Sequence, residues 1–135
     1  MEKEFVTYEQ SLALKELGFD EPCFGYFSFG DELIIERTNT QMVSEGCCLA
    51  PTFSQAFRWF REKHNLRVDF LDFVMGENLV TWDYSIAVIG TDLDDDGNYN
   101  PYVDYSTDDI YRYFNTYNDA ELACIDELIK QVKIK

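Results

Sequence analysis

The sharpest chemical spacing in the chain is Asp92-Leu93-Asp94-Asp95-Asp96-Gly97, followed by Asn98 and Asn100. Oxygen ligands at alternate positions, with a glycine for the tight turn, are what a calcium loop requires. Asp92, Asp94, Asp96, Asn98 and Asn100 would then be the ligands. The spacing fails at the twelfth position, which is Val103 and not a bidentate glutamate, and Asp104 comes one residue late. The flanks read as strands, where an EF-hand has two helices. Asp96-Gly97 accounts for the same residues as the acidic tip of a β-hairpin with no metal. We prefer that turn. A weak divalent-cation site for calcium is the alternative, because the crowded aspartates repel one another.

His64 is the only histidine, and the cysteines are Cys23, Cys47, Cys48 and Cys124. A histidine beside a cysteine could supply a base and a nucleophile. No cysteine here stands in a recognisable catalytic context, and an imidazolium near a helix C-terminus explains His64. No CxxC, zinc spacing, Gly-rich phosphate loop, GxSxG or HExxH occurs. No catalytic residue is assigned, and the chain is read as non-enzymatic.

Arg58, Arg61, Lys63 and Arg67 form the one basic cluster, interleaved with Trp59 and Phe60. Basic and aromatic residues together can stack on nucleic acid. The aromatic residues fit a core stripe better, and the bases have abundant acids to pair with. Trp59 falls at the margin of that stripe and is the residue there expected to touch a partner. Arg58, Arg61 and Lys63 on the basic side, with Asp95 and Asp104 on the acidic side, complete the candidate contact set.

The elements that must hold these residues follow from periodicity and caps. A helix is expected over about 8–17, opened by a Thr7/Gln10 capping box and stopped by Gly18, with Ala13, Leu14 and Leu17 on one face. A hairpin around Gly30-Asp31 follows, then a polar loop over 38–51 that carries Gly46, Cys47 and Cys48. Pro51, Thr52 and Gln55 open a second helix whose stripe is Phe53, Ala56, Phe57 and Phe60, and Asn65 stops it. A strand near 66–74 and a turn at Gly76-Glu77-Asn78 lead into a hairpin over roughly 79–106. With Asp96-Gly97 as its loop, Val88 faces Tyr105, and Trp82, Tyr84, Ile86 and Val88 share one face. A short helical turn at 107–113 precedes a last helix. That helix is capped by Asn118 and Glu121 and packs Leu122, Ile125, Leu128, Ile129 and Val132. The order α-ββ-α-β-ββ-α predicts a single two-layer α+β domain over 1–135, an antiparallel sheet of hairpins with about three helices packed on it.

Composition bounds the function. The chain has 135 residues, is 46% apolar, and carries a formal charge of −15. That is enough apolar material for a core and too much for disorder. The charge repels nucleic-acid phosphates and anionic lipid, so neither direct nucleic-acid binding nor membrane binding is expected. The opening MEKEFVTYEQ lacks the basic and apolar regions of a signal peptide. The expected location is the cytoplasm, with reduced cysteines.

Three segments stand out together: Glu21-Pro22-Cys23-Phe24-Gly25-Tyr26-Phe27, Ala50-Pro51-Thr52-Phe53-Ser54-Gln55-Ala56-Phe57-Arg58-Trp59-Phe60-Arg61-Glu62-Lys63, and Ala120-Glu121-Leu122-Ala123-Cys124-Ile125. Their order resembles small uncharacterised proteins of gut Bacteroidetes and of their phages and mobile elements, which carry EPCxGYY, APxxxQAFRWFREK and AELACLxKLI segments. The 90–105 stretch departs from that pattern. The resemblance implies an origin in a bacterial host cell and no mechanism. The expected function is a phage or mobile-element accessory protein that acts through contacts with an unidentified protein, host-encoded in the simplest case. The alternatives are an acidic nucleic-acid mimic that inhibits a host defence or DNA-binding protein, and the calcium module at Asp92–Asn100.

Overall fold

A computed structural model describes residues 2–38, 46–89, 96, 102–104 and 113–134. Among the described residues, three α-helices, α1 (Tyr8–Glu16), α2 (Phe53–His64) and α3 (Tyr117–Ile134), accompany six strands: β1 (Tyr26–Ser28), β2 (Glu32–Ile34), β3 (Cys47–Leu49), β4 (Leu66–Val74), β5 (Val80–Ile89) and β6 (Tyr102–Asp104). The class is α+β with antiparallel pairing throughout, as expected. The strands divide between two three-stranded sheets, ordered β2-β1-β3 and β4-β5-β6. The chain falls into two compact units, Met1–Trp59 with Ile125–Lys135, and Phe60–Cys124.

In the first unit, α1 opens on the expected capping box. The Gln10 N–H donates to Thr7 Oγ1 and the Thr7 N–H donates to Gln10 Oε1, both at 3.1 Å. Gly18, at φ +99°, adopts the left-handed conformation that ends the helix. The buried face is Leu14 with Gln10 and Ser11, while Ala13 and Leu17 are only half-buried. Polar Gln10 is tolerated because its amide is used twice: Nε2 donates to Asp126 Oδ1 on α3 at 3.0 Å.

Ser28 stands opposite Glu32, so the first hairpin turns through Phe29, Gly30 and Asp31, one residue more than the Gly30-Asp31 pair. Gly25 is required where the chain crosses Phe5, because a Cβ there would lie 3.0 Å from the Phe5 ring and 3.2 Å from the Ile34 carbonyl oxygen. Phe5, Phe27 and Ala50 form a buried cluster flanked by Tyr8 and Leu33.

The expected polar loop over 38–51 is corrected at its C-terminal end. Cys47, Cys48 and Leu49 form β3, are all buried, and pair with Ser28, Phe27 and Tyr26. Cysteine behaves as a small hydrophobe, and three apolar residues in a row suit a covered strand. Residues 39–45 lie outside the described residues.

Helix α2 starts where Thr52 Oγ1 accepts from the Gln55 N–H at 3.2 Å. The return half of the box is not made; Gln55 Nε2 donates to the Pro22 carbonyl at 2.7 Å instead. Asn65, at φ +55°, ends the helix. The cap of helix α3 is Thr116, two residues before the expected Asn118, because Thr116 Oγ1 accepts from the Asp119 N–H at 3.0 Å. Its buried face is Ala120, Cys124, Ile125, Leu128 and Ile129, with Leu122 and Val132 half-buried.

In the second unit, β4 and β5 pair over nine residues, from Leu66 opposite Val88 to Val74 opposite Val80. Val88 faces Val103 and not Tyr105. A slip of two residues keeps the side chains of β5 on their expected face, so Tyr84 and Ile86 are buried as anticipated. The helical turn expected at 107–113 lies outside the described residues, Tyr113 apart.

Candidate functional site

Among the described residues of the second unit, exposed apolar side chains gather at the end of the β4–β5 hairpin. Val74 and Val80 face each other on one side of the ladder. The Met75 N–H donates to the Leu79 carbonyl at 2.8 Å and extends the ladder by one pair, whose side chains alternate to the other side with Leu71. Leu71, Val74, Met75, Leu79 and Val80 are all exposed, Val74 by 74%. Gly76 at φ +100° and Asn78 at φ +64° close the turn around Glu77.

Aromatic residues cover the same sheet further from the tip. Trp82 and Phe114 exchange backbone hydrogen bonds of 2.8 Å in both directions, which fixes the segment leading into α3 beside β5. On one face the Tyr117 ring lies 4.8 Å from Phe70 and 5.1 Å from Trp82, and Phe114 stacks on Tyr84 at 6.0 Å. On the other, Tyr113 meets Phe73 edge-on at 6.4 Å. The covering rings reach Phe73 and Trp82, and the apolar pairs beyond them stay open to solvent. Burial first, then Glu121 and Cys124, raise the Tyr117 phenol above its ordinary value.

Trp59 is corrected as a contact residue. It is 3% exposed and packs edge-on to Phe19 at 5.5 Å. The buried stripe of α2 is Phe53, Ala56, Trp59 and Phe60, and Phe57 moves to its edge, stacked on Phe53 at 6.3 Å. Arg58, Arg61 and Lys63 are exposed as expected. They do not pair with the protein's own acids among the described residues; Arg67 does, with Asp69 at 3.4 Å. His64 holds its ring 6.0 Å from Phe60, one turn back.

Of the proposed calcium ligands only Asp96 is described, as an exposed turn residue; Asp92, Asp94, Asn98 and Asn100, and Asp95 with them, lie outside the described residues. Asp104 sits in β6 opposite Ala87. Among the described residues no three His, Cys, Asp or Glu side chains gather to hold a metal.

All four cysteines are buried. Burial, then Glu21 and Cys48, push the Cys23 thiol up to about 12, against the opposing pull of the Gln55 amide. Its Sγ donates to the Glu21 carbonyl at 3.3 Å. Burial also raises Cys48, opposed by Lys15. The Cys23 and Cys48 side chains are both buried and pack as small apolar core residues.

Another apolar surface lies in the first unit, where Phe5, Phe24, Ile35 and Thr52 line a groove of about 370 Å³ bordered by Glu4, Glu36 and Arg37. The hairpin tip is not among the contact residues expected from the sequence, although the sequence carries a signal of it. Val74-Met75 and Leu79-Val80 flank Gly76-Glu77-Asn78 on both sides, where the end of a hairpin is ordinarily polar. No helix among the described residues is long and apolar enough to cross a membrane. No protein-family model matches the chain, nor does any curated protein or solved structure.

Proposed function

We propose that this chain is a non-enzymatic accessory protein of a phage or mobile element, and that it acts by binding another protein through the β4–β5 hairpin tip. One observation carries the proposal: five exposed apolar side chains on both faces of a single tip. Exposed apolar residues gathered in this way mark contact surfaces more often than chance placement does. The charge of −15 argues against anionic lipid or nucleic acid as the occupant.

Affinity purification from the bacterial host tests it, with the wild type, Val74→Thr/Val80→Thr and Arg58→Ala/Arg61→Ala compared side by side. A partner retained by the wild type and the arginine variant, and lost by the valine variant, supports the proposal. The same partners with all three proteins, or a turnover activity, would overturn it.

The nucleic-acid mimic is favoured by one observation of its own. Residues 60–124 hold fourteen acidic and four basic side chains, a net −10 of the total −15. A mimic would bind a basic groove with steep salt dependence and would be unaffected by Val74→Thr/Val80→Thr.

A further inference from the structure

Resting on the reading of the tip as a protein contact, we infer that its partner is a groove with an apolar floor and a basic rim on a different protein. The first part follows from the two-sidedness of the tip. Val74 and Val80 lie on one face, and Leu71, Met75 and Leu79 on the other. A flat surface could cover only one of these faces, whereas a groove that receives the hairpin end-on covers both.

The rim follows from charge. From Phe70 to Trp82 the chain carries Asp72 and Glu77 and no basic residue. Both acids are exposed. Asp72 is directly opposite Trp82, one pair from Val74 on the same face, and Glu77 sits at the turn. An occupant that buries the five apolar side chains must bring its edge against these two carboxylates. Lysine or arginine there complements them; acids there would be repelled.

The same charges argue against a second copy. A two-fold contact applies one patch to itself, so Asp72 and Glu77 would meet their own counterparts with no cation between them. They also argue against a bilayer. Interfacial membrane segments set basic residues beside their apolar ones, and this tip has none.

Site-specific photo-cross-linking in the bacterial host tests the inference on the full chain. A benzophenone amino acid replaces Leu79, and a control protein carries it at Arg58. The expected result is a cross-link from position 79 to a segment of another protein that holds Lys or Arg beside apolar residues. Its yield should fall about tenfold in Asp72→Lys/Glu77→Lys, two exposed substitutions that leave the core intact. A cross-link to the chain's own copy or to lipid would overturn the basic-rimmed partner. So would a segment without basic residues, or a yield unchanged in the charge-reversed variant. Adducts to another protein of either of the last two kinds would leave the tip standing as a protein contact. Absence of any adduct specific to position 79 would overturn both.

Discussion

Val74 stands directly opposite Val80 in the last ladder pair of the β4–β5 hairpin, and both side chains face solvent. A cross-strand valine pair stabilises a ladder modestly when its neighbours cover it. Here the covering rings stop at Trp82 and Phe73, so the pair contributes little to the fold. Val74→Thr/Val80→Thr should change unfolding free energy by no more than about 0.5 kcal/mol. Binding of a hydrophobic dye to the folded protein should fall at the same time. Urea denaturation and dye fluorescence read the two effects separately.

Trp59 should behave as core and its arginine neighbours as surface. Trp59→Ala removes a ring that packs on Phe19, and a destabilisation of about 3–5 kcal/mol is expected. Arg58→Ala and Arg61→Ala should each stay within about 0.5 kcal/mol of the wild type. Thermal melts of the three variants decide this.

Gln10 couples a helix cap to a second helix. Thr7→Ala removes one side of the capping box and should cost about 1 kcal/mol. Gln10→Ala removes the other side and also the bond to Asp126, so it should cost more than Thr7→Ala. Equal losses in chemical denaturation would mean that the Asp126 bond contributes nothing.

The Cys23 thiol sets an alkaline limit. Its folded value is raised from 9.0 to about 12. Well below pH 9 the thiol is neutral in both states and contributes no pH dependence. Between pH 9 and about 12 the unfolded chain ionises Cys23 while the folded chain does not, so stability falls as pH rises. Cys23→Ala should flatten that alkaline decline in a pH series of melts. Native protein at pH 8 should also leave Cys23 unmodified by iodoacetamide and expose it on unfolding.

The Asp92–Asn100 loop is expected to be a turn. Calcium titration should give no heat, and Asp94→Ala should melt at the same temperature with and without calcium. Heat with a stoichiometry of one, lost in Asp94→Ala, would establish the cation site instead.

Local signals determined much of this protein. The α1 capping box, the Gly18 and Asn65 stops, the limits of β4 and the buried Tyr84-Ile86 face were legible because each depends on neighbours within a few residues: a cap bond, a left-handed dihedral, a period of two. What needed tertiary structure depends on distant partners. The stripe of α2 rotated toward Trp59 because Phe19, forty residues earlier, offers it a ring. Cys47-Cys48-Leu49 became a strand because Phe27 and its neighbours on β1 present an edge to pair with. The Gln55 amide left its capping role for the Pro22 carbonyl. The calcium-like spacing of Asp92–Asn100 was the clearest chemical pattern in the chain. The exposed apolar tip instead lies where the covering rings of Tyr113 and Tyr117 end, and periodicity within β4 and β5 cannot reveal which apolar residues another segment leaves uncovered.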